Sequence, residues 1–214
     1  MAEFRVLATP EDVARAAADQ IVDALDGGAR TFVLAGGNTP RRCYELLAKS
    51  DVKWGRVTVL FGDERCVPPD DPESNYRMAR EMLLDTVAPA TVHRIPGELG
   101  AEEAAAHYDR IVGSLTPLDV VLLGAGEDGH TASLFPGHPE VEAEGYAVAV
   151  HNAPKPPPDR VSLTLPALQA ARHVIVLATG AGKAEAVAKA RRGEVPSGMI
   201  AGALWLIDSA AAGQ

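Results

Sequence analysis

Aromatic residues are scarce, at 5% of the chain, so aliphatic side chains and alanine have to fill most of the core. Cysteine is nearly absent, and Cys43 and Cys66 form no CxxC pair. They could be bridged in principle, but in a reducing compartment two buried free thiols are expected. No stretch of 18 apolar residues exists, which excludes a membrane-spanning helix. The opening MAEFRVLATPEDVARAA carries Glu3 and Arg5 within its first apolar run, so no secretory segment is expected there and a cytoplasmic location is. Positive charge is also in deficit, with 20 basic against 29 acidic residues and a net charge of −9. Nucleic acid or an anionic bilayer would be repelled by such a surface unless a basic stripe existed. The densest basic spots are the pairs Arg41-Arg42 and Arg191-Arg192, so neither partner is expected. An anionic substrate would have to be held by a few placed cations and helix N-termini.

What is present is ordinary for a folded soluble protein: 47% apolar and 23% charged residues. Glycine at 20 and proline at 16 stay below low-complexity levels. The 214 residues are expected to form a single domain, 1–214, with a sizeable core. Short β-rich runs alternate with alanine-rich stretches of helical period. Strands are predicted at 4–8, 31–35, 56–61, 119–123, 146–150, 160–165, 173–178 and 204–207. Helices are predicted at 11–25, 40–48, 74–84, 101–115, 168–171 and 183–191. Thr9-Pro10 and Thr39-Pro40 each place a capping hydroxyl before a proline at the first helical position. Runs such as TFVLAG, VTVLFG, DVVLLG and HVIVLATG are apolar on both faces, as parallel strands covered by helices are. The predicted fold is therefore α/β, a three-layer αβα domain around a mostly parallel open sheet. HNAPKPPP at 151–158 has a linker's composition, but the strands flanking it read as one sheet, so a rigid loop is expected.

In an open α/β sheet the ligand crevice is lined by loops leaving the C-terminal ends of strands. Four such loops are rich in polar groups: GGNTPRR at 36–42, GDERCVPP at 62–69, GAGEDGHTASLFPG at 124–137 and TGAGK at 179–183. The first opens a helix, and its free amides at Asn38 and Thr39 suit an anion such as phosphate; a tight strand–helix turn would also use these glycines. It is not a P-loop. Lys183 is followed by alanine, and the position five before Gly182 is Leu177. The third loop contains a formal dinucleotide pattern, Gly124, Gly126 and Gly129, but HTASLFPGHP follows where that motif would open a long helix.

His130 follows Asp128 by two residues in this turn. An imidazole there can act as base near neutrality, with the carboxylate orienting it. Asp63, Glu64 and Arg65 lie directly after VTVLFG; Glu64 should point away from its neighbours if the strand continues. Arg160 and Lys183 lie at or near other strand ends, where they could complete a phosphate clamp. Neither GxSxG nor HExxH occurs, and His130 and His138 make a poor metal pair.

GGNTP, GDERCVPPDDPESNY, LGAGEDGHTASLFPG and RVSLTLPAL, in this order, resemble the 6-phosphogluconolactonase family from about residue 8 to about 207. The resemblance implies hydrolysis of 6-phospho-D-glucono-1,5-lactone to 6-phosphogluconate, in the oxidative pentose phosphate pathway, with neither cofactor nor metal. It implies His130 as general base and Asp128 as the group tuning it. Gly36, Gly37, Asn38 and Thr39, with Arg160 and Lys183, would hold the 6-phosphate of this phosphorylated sugar lactone. Asp63 and Arg65 would contact the ring or the developing oxyanion. A monomer is favoured. The glucosamine-6-phosphate deaminases share the fold, but their acid–base glutamate aligns with Phe135 and their tyrosine after Asp-Glu with Arg65, which disfavours that activity.

Overall fold

The computed structural model describes residues 2–214. From the N-terminus, β1 (Glu3–Leu7), α1 (Pro10–Asp26), β2 (Thr31–Leu34), α2 (Asn38–Leu47), β3 (Thr58–Phe61), β4 (Asp63–Arg65) and α3 (Asn75–Ala79) are followed by β5 (Thr91–Val92), α4 (Ala101–Leu115) and β6 (Val120–Gly124). The remainder is β7 (Ala147–Val150), β8 (Arg160–Leu163), α5 (Leu165–Gln169), β9 (His173–Ala178), α6 (Ala184–Arg191) and β10 (Leu204–Asp208). A seven-stranded sheet runs in the order β1-β10-β9-β6-β2-β3-β5, with every pairing parallel. All four residues of β2 are buried, as expected for a strand covered on both faces.

Most predicted elements are present with small boundary shifts, and α1 begins on the expected cap. The Thr9 hydroxyl accepts from the Asp12 amide, and the Asp12 carboxylate accepts from the Thr9 amide. Several expectations need correction. The strand predicted at 56–61 begins at Thr58, after a short 3-10 turn. The helix at 74–84 is α only to Ala79 and continues as a π turn, Arg80–Leu84. The short helix at 168–171 lies earlier, at Leu165–Gln169, because Thr164 caps it and Pro166 sits in its first turn. Thr39 caps nothing: α2 starts at Asn38 behind Gly37, and the Thr39 hydroxyl bonds to Thr179 at 2.8 Å instead. Both cysteines are free, but only Cys43 is buried; Cys66 is half-buried.

The strands at 146–150 and 160–165 do not join the large sheet. As β7 and β8 they form a separate antiparallel sheet in the order β4-β8-β7. The connection between them is too short for the helical crossover that a parallel pair requires. Neither β4 nor β5 was predicted. Asp-Glu-Arg has low strand propensity, and β4 exists because it pairs with β8.

The chain order locates the crevice. From β2 the chain moves outward to β3 and β5, then returns to β6 and proceeds the other way to β9 and β10. The reversal falls between β2 and β6, so the loops after these two strands part at their C-terminal ends. Two buried tyrosines satisfy the backbone where the strands separate. The Tyr44 hydroxyl accepts from the Ala35 amide at 2.7 Å and donates to its carbonyl at 2.8 Å. Tyr108 does the same for Phe61, at 2.7 and 2.8 Å.

Candidate active site

A cleft of about 510 Å³ opens at this reversal. Gly36, Gly37, Asn38, Thr39, Asp63, Arg65, His130, Arg160 and Lys183, singled out from sequence, all line it. Asp128 stands behind His130, outside the lining, and reaches the cleft through the imidazole.

The loop after β6 doubles back on itself. The Gly126 amide donates to the His130 carbonyl at 2.8 Å, and the Gly129 amide to the Gly126 carbonyl at 3.1 Å. This turn brings His130 Nδ1 to 2.5 Å from Asp128 Oδ1, which also accepts from the His130 amide at 3.2 Å. An ionised carboxylate only accepts, so Nδ1 carries the proton and Nε2 presents a lone pair. Among the described residues Nε2 has no hydrogen-bond partner. Burial pulls the His130 pKa below its ordinary value, against the opposing pull of Asp128. Burial pushes Asp128 up, but His130 and its hydrogen bonds outweigh that and hold the carboxyl below the usual range. The pair at neutral pH is thus a carboxylate and a neutral imidazole.

Asp63 and Glu64 face opposite ways, as a continuing strand requires. Glu64 is turned into the protein, where it accepts from the amides of Arg65, Asn75 and Tyr76 at 2.7–2.8 Å and from the Ser74 hydroxyl at 3.0 Å. Burial pushes its carboxyl up despite those donors. Asp63 faces the cleft, but both of its oxygens are engaged, by Ser133 Oγ at 2.7 Å and Asn75 Nδ2 at 3.2 Å. It fastens the His130 loop to β4 and α3.

Arg65 and Arg160 sit directly opposite each other in the β4–β8 register, an unfavourable placement for like charges unless something anionic joins them. Arg160 is 4% exposed. Its guanidinium donates to the carbonyls of Pro157, Lys155 and Pro156 at 2.8–3.3 Å. Among the described residues no carboxylate lies within ion-pairing distance of it, and burial lowers its pKa. Arg65 is held by the Glu73 carbonyl at 2.5 Å, while its buried Nε has no partner. Arg65 is half-buried and also pairs with the Glu73 carboxylate at 3.6 Å, whereas Arg160 is a buried cation without a counter-ion, a costly state; both line the cleft.

Lys183 lies in the 3-10 turn before α6, half-buried, with its pKa lowered first by burial. Its loop is anchored where the Gly180 amide donates to Asp208 at 3.0 Å. Across from it, α2 presents its first amides, which have no intrahelical acceptor. Gly36 serves a different purpose from the one its motif suggested. A Cβ there would fall 2.1 Å from the Asn75 amide oxygen, so its bare backbone admits Asn75 rather than a ligand.

Lys155, Asn75, Thr179 and Glu127 also line the cleft and were not predicted. Lys155 lies in the proline-rich loop, where a lone lysine reads as solvated. Asn75 lies in the SNY of the second motif, which was the available signal. With Lys155 included, four basic side chains face two carboxylates, a local positive field in a protein of net charge −9.

The chain is similar to known proteins in both sequence and fold. The sequence model of the family described as glucosamine-6-phosphate isomerases/6-phosphogluconolactonase matches residues 8–206. A 6-phosphogluconolactonase of Streptomyces coelicolor is 42% identical, across 91% of this chain and 86% of its own. The solved 6-phosphogluconolactonase of Trypanosoma brucei superposes with a TM-score of 0.89 at 29% identity, covering 100% of this chain and 98% of that one. A monomeric glucosamine-6-phosphate deaminase has a TM-score of 0.88, covering 99% of each chain, but at 22% identity it shares the fold alone. The chain belongs to the glucosamine-6-phosphate isomerase/6-phosphogluconolactonase family.

Proposed function

We propose that this chain hydrolyses 6-phospho-D-glucono-1,5-lactone to 6-phospho-D-gluconate, with His130 as the general base, as a step of the oxidative pentose phosphate pathway. The observation that carries the reading is a neutral, carboxylate-oriented imidazole sharing one cleft with Arg160, a buried cation that lacks a carboxylate. A phosphorylated ester needs both groups.

The 6-phosphate is held by the α2 amides at Asn38 and Thr39 behind Gly36 and Gly37, together with Lys183 and Arg160. His130 Nε2 takes a proton from water as the water oxygen bonds to the lactone carbonyl carbon. Asp128 stabilises the imidazolium that forms. Arg65 and loop amides face the developing oxyanion. Collapse of the adduct breaks the ring ester bond, and the imidazolium returns its proton to the departing ring oxygen. Water and lactone are thereby converted to one hydroxy acid. Asp63 acts by position, since its oxygens are already engaged.

The test is acid release from freshly generated lactone, with spontaneous hydrolysis subtracted, in the presence of a chelator and with no added nucleotide. Acceleration is expected. Ammonia release from glucosamine 6-phosphate at a comparable rate would overturn the assignment in favour of a deaminase. Tight NADP binding without hydrolysis would overturn it in favour of a dinucleotide-binding protein.

A further inference from the structure

Phe135 has no acid–base chemistry, yet its ring packs against both groups on which the proposed reaction depends. The ring is 1% exposed. The His130 imidazole is stacked obliquely against it, with centroids 4.7 Å apart at 42°. The Arg160 guanidinium carbon lies 5.6 Å from the same centroid. Both distances fall within the attractive range for aromatic and cation–π contacts. Phe135 is not part of the main core. Its buried neighbours are Val150 and Ala153, with half-buried Val148 packed against them. This satellite cluster joins three separate segments: the loop bearing His130, the end of β7, and the proline-rich loop bearing Lys155.

We propose that Phe135 is a positioning residue, whose ring fixes the His130 imidazole relative to the Arg160 guanidinium and shields one face of the base from water. This rests on the lactone-hydrolysis reading. The reacting carbon and the 6-phosphate are parts of one substrate, so the base and the anion-binding group must keep a set separation. A displacement of about 1 Å can cost on the order of 10²-fold in rate. The charged groups acting on His130 are Asp128 from its own loop, Asp63 from β4 and Lys155 from the proline-rich loop. His138, 3.8 Å from Glu140, also abuts Phe135. None of these five groups is itself removed by a substitution at Phe135, so a change in the titration of His130 reports the loss of its cover.

The experiment compares Phe135→Leu, which keeps an apolar body and loses the ring, with Val150→Ala, which thins the same cluster from β7, opposite Arg160 in the β7–β8 register, and keeps the ring beside His130. Three readouts are taken: kcat and KM across pH, affinity for 6-phosphogluconate, and the imidazole titration followed by proton NMR. For Phe135→Leu, kcat is expected to fall about 10-fold, 6-phosphogluconate to bind more weakly, and the imidazole midpoint to rise toward the ordinary histidine value. Val150→Ala is expected to lower the melting temperature and leave the midpoint unchanged. Phe135→Met, an unbranched gap-filler, replaces the leucine variant if that chain does not fold, with the same outcome expected. Identical behaviour of the ring and Val150 variants, with His130 titrating as in the parent, would overturn the proposal. The titration needs no turnover, so it decides the role of Phe135 even if the parent fails to hydrolyse the lactone, a failure that would overturn the function alone.

Discussion

A Cβ on Gly126 would fall 2.1 Å from Nδ1 of His130 and 2.5 Å from Oδ1 of Asp128. The imidazole–carboxylate pair therefore rests on bare backbone, in space that any side chain at 126 would occupy. This accounts for the glycine pattern that formally matches a dinucleotide fingerprint. In that fingerprint the second glycine lets backbone approach a pyrophosphate; here it lets a histidine approach its own loop.

Gly126→Ala should consequently behave like loss of the base. Turnover is expected to fall roughly 10²–10⁴-fold, as for His130→Asn, with a much smaller change in KM because the group acts mainly in the transition state. Steady-state kinetics on the two variants check this. A His130→Asn enzyme with most of its turnover intact would remove the residue from the mechanism.

The pH profile has a defined sign. Burial lowers the His130 pKa and Asp128 opposes it, so the acid limb of kcat/KM should lie below the ordinary histidine value. Asp128→Asn removes the opposing carboxylate, and the limb should shift to still lower pH while turnover falls, because the tautomer is no longer fixed. A limb that moves upward in this variant would contradict the arrangement.

Arg160→Ala and Lys183→Ala should each weaken 6-phosphogluconate and inorganic phosphate binding, by about 10-fold or more for a charge-assisted contact. Arg160→Lys keeps the charge but loses the fork that grips the Lys155, Pro156 and Pro157 carbonyls, so it should rescue poorly. Calorimetric titration measures all three. Unchanged affinity in both alanine variants would leave the α2 amides as the sole anion holders.

Glu64→Gln should destabilise the fold by about 2 kcal/mol. Both carboxylate oxygens accept from donors, so a glutamine would turn an NH₂ toward a backbone amide or the Ser74 hydroxyl. Thermal or denaturant unfolding at neutral pH provides the measurement, and a loss near zero would count against the buried network.

The large sheet was legible in the sequence because each central strand is an uninterrupted apolar run, and helices start on signals as local as Thr9-Pro10. The DGH turn was legible for a related reason: the groups that must meet are two residues apart, and local geometry suffices to join them. What sequence could not settle was decided by contacts between distant segments. Three charged residues became β4 only by pairing with β8, and that register set Arg65 opposite Arg160. Lys155 reached the cleft because a proline-rich loop folds over it, and Thr39 gave up a capping role to meet Thr179, 140 residues away. Apolar periodicity and capping are encoded within a few residues, whereas the company a charge keeps depends on which strands come to lie side by side.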